Sequence, residues 1–128
     1  MYCVFSKEAL KKMVNEKGEF ELGKFATQAG HGYSHALWDA DKRHPLLGEL
    51  FRNGKHARKI TCVVDTDDEL RNIYDTVRDH NTGVTLVTDS GFTVFSEPTL
   101  TCVGFGPITS DAATELVGRL KLLRKLPS

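Results

Sequence analysis

Long apolar runs are absent from this sequence of 128 residues: none approaches the ~20 residues that a membrane-spanning helix requires. A charge excess is absent as well, because 17 basic residues balance 17 acidic ones, and this argues against indiscriminate binding of nucleic acids. The first residues lack the basic start and apolar core of a signal peptide, so we expect a cytoplasmic protein. The remaining composition is that of an ordinary globular protein, and the length predicts a single domain over residues 1–128.

Cysteine is scarce, and the number of cysteines is odd. Cys3, Cys62 and Cys102 each lie inside an apolar, strand-like run. Their spacing fits neither a zinc site nor a Cys-x-x-Cys redox pair. We therefore expect three buried free thiols in a reducing compartment.

The charges are segregated along the chain even though they cancel overall. Residues 41–59 hold six lysines and arginines against two acids, whereas residues 65–79 hold six acids against two arginines. The basic block fits a surface that faces phosphate groups. It fits equally well one of two solvated surfaces of opposite sign, and the sequence favours neither interpretation.

The spacing of apolar residues predicts an alternation of strands and helices. Four strands are predicted, at 2–5, 59–64, 84–87 and 101–105. Before the last strand, we predict a short helix or ordered loop within 7–21, a helix from Gly23 to about Asp41, a short helix at 46–51 and a helix that begins at 66–69. A last helix, capped by Ser110 or Asp111, is predicted to turn three leucines inward: Leu116, Leu120 and Leu123. This order is typical of an α/β sandwich in which helices cover a mostly parallel sheet.

One stretch, residues 23–35, carries unusual side chains for a helix. Helical spacing places a lysine, an amide and two imidazoles on one face: Lys24, Gln28, His31 and His35. The other face is apolar and suits packing on a sheet: Leu22, Phe25, Ala26, Ala29, Ala36 and Leu37. Gly30 and Gly32 flank the first histidine, and a glycine lets another backbone or a ligand approach closely. We interpret the polar face as the wall of a functional site.

Topology predicts that Lys24 and Asp89 lie close together. Sites in α/β folds gather at the carboxyl ends of strands, and Asp89 follows the third predicted strand. The first strand leads to Lys24, so we expect the two side chains to meet at one edge of the sheet. Such a pair can activate a water molecule and stabilise the oxyanion that forms when the water attacks an ester. It can equally be a salt bridge that ties a helix to the sheet.

Two other chemistries receive less support from the sequence. His31 and His35 have the spacing of two metal ligands on a helix, but no third ligand accompanies them, and a lone exposed histidine is the better interpretation of His35. A metal-dependent enzyme would show metal in elemental analysis of the purified protein. Ser34 lies inside a helix and Ser90 is weakly placed as a nucleophile, so no serine–histidine–aspartate triad is predicted.

Four motifs follow one another along the chain: Gly-Lys-x-Ala-x-Gln-x-x-His at 23–31, Asp-x-Gly-x-Thr at 89–93, Thr-x-x-Gly-x-Gly-Pro at 101–107 and Leu-x-Gly-x-Leu-Lys-Leu-Leu at 116–123. In this order they resemble the type 2 peptidyl-tRNA hydrolases. The resemblance implies a three-layer α/β/α sandwich with a four-stranded, mixed and mostly parallel sheet, often as a homodimer. It also implies hydrolysis of the ester that joins a peptide to the terminal ribose of tRNA, without a cofactor.

The resemblance also assigns roles to individual residues. Lys24, Asp89 and Thr93 match catalytic positions, with Asp89 orienting or activating water and Lys24 stabilising negative charge. Substrate-binding positions are matched by three further residues: Gln28, His31 and Thr101.

Gly30-His31-Gly32-Tyr33 replaces the small residues that are usual around this histidine, and two further features depart from the pattern of the family. The segment 6–22 is longer than the usual link between the first strand and Gly-Lys, and Phe92 stands where a basic residue is common. These two features favour an alternative function, a catalytically inactive member that binds a nucleotide or a protein through the same pocket. Salt separates the alternatives, because tRNA binding weakens steeply as salt rises and binding through an apolar surface does not.

Overall fold

Strands and helices alternate along the chain, and the computed structural model describes them over residues 1–55, 57–90 and 97–127. The strands are β1 (Tyr2–Ser6), β2 (Ile60–Val64), β3 (Val84–Asp89), β4 (Thr99–Phe105) and β5 (Lys121–Leu122). The helices are α1 (Lys7–Lys12), α2 (Leu22–Arg43), α3 (Pro45–Asn53), α4 (Asp67–Asp79) and α5 (Ser110–Val117). No helix in these described ranges is both long enough and apolar enough to cross a membrane.

The strands of the described residues form one mixed sheet in the order β3-β4-β1-β2-β5. Only the pair β1–β2 is parallel among them, whereas β1–β4, β3–β4 and β2–β5 are antiparallel. The prediction of a four-stranded, mostly parallel sheet is therefore wrong in both respects. The nine residues 90–98 between β3 and β4 are too few for the crossover of a dozen or more that parallel neighbours need.

The central strand β1 separates two apolar clusters, because alternate side chains of a strand point to opposite faces. Cys3 and Phe5 contribute to a cluster with α1 and with Phe25 of α2. Tyr2 and Val4 contribute to a cluster with α4 and α5. Helices thus cover both faces of the sheet, but α3 packs mainly on α2. The layering is for this reason less regular than the predicted three-layer α/β/α sandwich.

Side-chain caps and one glycine determine where the later helices begin and end. Thr66 caps α4 within the predicted start at 66–69, because its hydroxyl accepts a hydrogen bond of 3.2 Å from the amide of Glu69. Thr109, rather than Ser110 or Asp111, caps α5. Gly118 then ends α5 with a φ of +79°, a conformation that favours glycine. The predicted continuation of this helix through Leu120 and Leu123 is therefore wrong, and the chain enters β5 instead.

Two glycines allow α2 to approach β4 closely. A Cβ atom at Gly32 would lie 2.8 Å from Sγ of Cys3, and a Cβ atom at Gly104 would overlap the carbonyl group of Gly32. The expectation of a close backbone approach is therefore confirmed at Gly32. A Cβ atom at Gly30 would meet no described residue within 4 Å, so no close approach of the described backbone requires a glycine there.

All three cysteines are buried and free, as predicted. The pKa of Cys3 is raised well above its usual value, mainly by a hydrogen bond to Cys102 and secondly by burial. Burial raises the pKa of Cys62 to about 11. These two thiols therefore remain protonated in the folded protein at neutral pH.

Candidate active site

Lys24 and Asp89 form an ion pair where α2 begins and β3 ends. The distance from Lys24 Nζ to Asp89 Oδ2 is 2.8 Å, and the two side chains are 16% and 7% exposed. Their predicted meeting at an edge of the sheet is confirmed. Because Asp89 lies beside the first turn of a helix of 22 residues, the helix dipole also favours a negative charge here.

A chain of hydrogen bonds beneath the ion pair orients Asp89. Gln28 lies one helical turn after Lys24, is 3% exposed, and donates from Nε2 to Asp89 Oδ2 over 3.3 Å. The hydroxyl of Thr101 donates to Gln28 Oε1 over 2.8 Å and lies 3.2 Å from the carbonyl oxygen of Val87. The opposite orientation of the amide would turn its oxygen towards a carboxylate. Thr101 therefore orients Gln28, and Gln28 in turn orients Asp89.

Sequence reasoning missed one contact that holds this part of α2 on the sheet. The thiol of Cys102 donates to the main-chain carbonyl of Gln28, with a distance of 3.4 Å from sulfur to oxygen. A cysteine inside an apolar strand is typical of a core residue, and the sequence contains no further signal of this contact. Sequence reasoning also missed the contact between Thr101 and the carbonyl oxygen of Val87, because a sequence motif does not show the hydrogen bonds of main-chain groups.

The two histidines of α2 lie outside the hydrogen-bonded group. His31 and His35 are exposed, with ring centroids 5.2 Å apart, and the ring of Trp38 stacks on His35 at 5.2 Å. The buried stripe of α2 instead passes through Gln28, Gly32, Ala36 and Ala40. Among the residues that the structure describes, His31 makes no hydrogen bond to Lys24, Gln28 or Thr101, although helical spacing assigns it to the face of Lys24.

Some predicted features of the site lie beyond what the structure describes. Thr93 and Phe92 fall in the gap 91–96, so their predictions lie outside the described residues. In the described ranges, no group of three or more histidine, cysteine or acidic side chains is arranged to bind a metal ion.

The basic block 41–59 lies at the opposite end of the sheet from Asp89. The block leads into Ile60 at the start of β2. Ile60 pairs with Tyr2, Tyr2 pairs with Phe105, and Phe105 pairs with Val84 at the start of β3, whereas Asp89 lies at the end of β3. Two arginines of the block form ion pairs, Arg43 with Asp39 and Arg52 with Asp41. The block is therefore partly neutralised and distant from the ion pair of Lys24.

Comparison with known proteins yields a match to one family model. The family model described as peptidyl-tRNA hydrolase PTH2 matches residues 10–123. This chain belongs to the PTH2 family. The predicted resemblance to type 2 peptidyl-tRNA hydrolases is thereby confirmed.

Archaeal relatives match the PTH2 chain over most of its length. A protein of Sulfurisphaera tokodaii named peptidyl-tRNA hydrolase is 35% identical over an alignment that covers 90% of this chain and 99% of the relative. One of Methanocaldococcus jannaschii with the same name is 32% identical over 102 residues, or 79% of this chain and 87% of the relative. A third, from Methanothermobacter thermautotrophicus, is 28% identical over 116 residues, 89% of this chain and all of the relative.

Proposed function

We propose that the site around Lys24 and Asp89 hydrolyses the ester bond of peptidyl-tRNA. The predicted activity, peptidyl-tRNA hydrolysis, is supported by the PTH2 family model and by the names of the relatives. Nothing in these comparisons supports the alternative of an inactive binding module. The observation that carries the assignment of the site is the 2.8 Å contact between a lysine and a carboxylate, both mostly buried, at the end of β3.

The pair has the groups that ester hydrolysis needs. A water molecule attacks the ester carbonyl carbon and gives one proton to Asp89. Lys24 donates a hydrogen bond to the carbonyl oxygen as that oxygen gains negative charge. The new carbon–oxygen bond replaces the bond to the ribose oxygen, and the proton from Asp89 passes to the ribose oxygen. The products are a free peptide acid and a tRNA with a free terminal hydroxyl group.

Gln28 and Thr101 act in this proposal through Asp89. Gln28 is 3% exposed and Thr101 is fully buried, and their hydrogen bonds lead to the carboxylate. We therefore assign both residues to positioning the carboxylate rather than to direct contact with a large substrate. Thr93 keeps its predicted role at the site, and exposed His31 keeps its predicted role in binding substrate.

The experiment that tests the proposal is the release of an N-blocked amino acid from N-blocked aminoacyl-tRNA. We expect Lys24→Ala to lower kcat about 10²–10³-fold, the typical cost of removing one oxyanion donor. Asp89→Asn should lower it at least as far, because an amide cannot accept the proton of water. Lys12→Ala is a matched control, since Lys12 is an exposed lysine on α1 and should leave kcat unchanged.

Each variant is first checked for its fold, because removing one partner of a buried ion pair costs about 3–5 kcal/mol of stability. Circular dichroism and urea unfolding provide this check. Native-like turnover in folded Lys24→Ala and Asp89→Asn proteins would contradict the proposal.

We also propose that the protein acts in translation in the cytoplasm, and as a homodimer. Leu46 and Leu50 of α3 support a dimer, because both side chains are at least 70% exposed and lie one helical turn apart. A monomer mass by light scattering would contradict the dimer. Fractionation of cells tests the location.

A further inference from the structure

A groove with basic walls lies at the edge of the sheet far from Asp89. It encloses about 470 Å³ between α1 and the C-terminal segment. Five cationic side chains line it: Lys7, Lys11, Lys121, Arg124 and Lys125. We refer to this cavity as the basic groove.

Ion pairs between described residues neutralise only a small part of the charge of the basic groove. Lys7 forms an exposed ion pair of 3.0 Å with Asp65. In the described part of the chain, no ion pair involves any of the other four cations. Because the whole chain has a net charge of zero, this is a local concentration of positive charge. Such a concentration attracts the phosphate groups of nucleic acids.

The basic groove opens on the same face of the sheet as the ion pair of the site. Val63 lines the groove and belongs to a cross-strand row with Phe5, Cys102 and Val87. All four side chains pack in the apolar cluster beneath α1 and α2. Three strand spacings separate β2 from β3, which is about 14 Å. Asp89 follows Val87 by two residues, so an extended polymer can reach both places.

Residues outside the match to the family model supply three of the five cations of the groove. The match to the PTH2 model covers residues 10–123, whereas Lys7, Arg124 and Lys125 lie outside it. Both ends of the chain, including the long segment after β1, therefore supply its cations.

We propose that the basic groove binds backbone phosphates of tRNA while the ester bond lies at Lys24 and Asp89. The inference rests on the proposed function, because it places the same substrate across the same face of the sheet. Phosphates supply much of the affinity for a nucleic acid, and each neutralised phosphate makes binding more sensitive to salt. The groove thus gives a chain of zero net charge a local means of holding tRNA.

The test removes three cations from the groove and three from elsewhere. The groove variant carries Lys11→Gln, Arg124→Gln and Lys125→Gln. The control variant carries Lys12→Gln, Lys17→Gln and Lys42→Gln, which are exposed lysines that do not line the groove. The two variants have equal net charge, so any difference between them reflects position.

Binding of deacylated tRNA is measured by fluorescence anisotropy over a range of KCl concentrations. We expect the groove variant to reduce the slope of log K against log salt by about 2, since each phosphate contact contributes about 0.7–0.9. The control variant should keep the slope of the native protein. Lys11→Gln alone should remove about one third of the effect, which keeps the test valid if the triple variant folds poorly.

Turnover of two substrates separates the groove from the site. For the groove variant, we expect kcat/KM for N-blocked aminoacyl-tRNA, divided by kcat/KM for N-blocked aminoacyl-adenosine, to fall at least tenfold. Equal salt slopes and equal ratios in the groove and control variants would overturn the inference. If the native protein hydrolyses neither ester, the proposed function fails, and the binding slopes still decide the role of the groove.

Discussion

Thr101 has one hydroxyl proton and three acceptors within reach: Oε1 of Gln28 at 2.8 Å, the carbonyl oxygen of Val87 at 3.2 Å and Sγ of Cys102 at 3.9 Å. The residue is fully buried, so water does not replace a lost hydrogen bond there. The hydroxyl proton of Thr101 therefore helps to fix the orientation of the Gln28 amide, and the amide in turn helps to orient Asp89.

Replacing Thr101 by valine keeps the shape of the side chain and removes that proton. We expect Thr101→Val to lower kcat about tenfold with little change in KM, because the amide of Gln28 then no longer holds Asp89 in one orientation. Stability should fall by about 1–3 kcal/mol, the cost of an unsatisfied buried polar group. The measurements are steady-state kinetics on N-blocked aminoacyl-tRNA and urea unfolding.

Thr101→Ser is the matched control, because it restores the hydroxyl group. A serine variant with native kcat beside a slow valine variant would identify the hydroxyl as the group that matters. Equal kcat values in the valine variant and the native protein would remove Thr101 from the positioning role.

At the scale of residues, sequence reasoning correctly predicted that Lys24 meets Asp89. It did not predict that His31, on the same predicted face of the helix, is exposed. A helical wheel places Lys24 and His31 on one face, yet the buried stripe follows spacings of four from Gln28. His31 therefore lies on the exposed flank of that stripe. A wheel gives the angle of a residue around a helix, but not which angle faces the sheet.

Helix α2 contains two glycines that differ in their surroundings, and they provide a paired test of its packing. Gly30→Ala should raise the free energy of unfolding by about 0.5–1 kcal/mol, because alanine favours the helix and its Cβ atom would lie more than 4 Å from every described neighbour. Gly32→Ala should lower it by about 1–3 kcal/mol, because its Cβ atom would press on the buried sulfur of Cys3. Urea unfolding of both variants measures the difference. Equal stabilities would show that α2 and β4 are less tightly packed than described.

The elements that were predicted well are those with long and regular patterns. The helix expected from Gly23 to about Asp41 is observed at Leu22–Arg43, and the strand expected at 84–87 is observed at Val84–Asp89. The end of α5 was missed, because Leu120 continues the helical spacing while the backbone at Gly118 breaks it. Strand directions were missed because they depend on the connections between strands, and the link between β3 and β4 is too short to join parallel neighbours.

For the whole molecule, the buried thiols predict a loss of stability in alkaline solution. A thiol in the unfolded chain loses its proton near pH 9, whereas burial raises the pKa of Cys62 to about 11 in the folded protein. Between these values the unfolded state binds fewer protons, so the free energy of unfolding falls as the pH rises. One proton contributes at most about 1.4 kcal/mol per pH unit. Burial also raises the pKa of Tyr33, to about 12, which extends the loss to higher pH.

Urea unfolding at pH 8, 9 and 10 measures this loss, with Cys62→Ala as the comparison. The alanine variant should be less stable at pH 8 and should lose less stability between pH 9 and pH 10. Parallel losses in the two proteins would show that Cys62 does not contribute to the alkaline transition.

Because all three native thiols are buried, they are inaccessible to maleimide reagents, and we expect the folded protein not to react with them. A single cysteine introduced on the exposed surface away from the basic groove, for example in place of Lys17, can therefore carry a fluorophore without prior removal of the native cysteines. With a second dye on the tRNA, energy transfer would then report distances in the bound complex. The burial of the native thiols thus allows a dye to be attached at one chosen position on the surface.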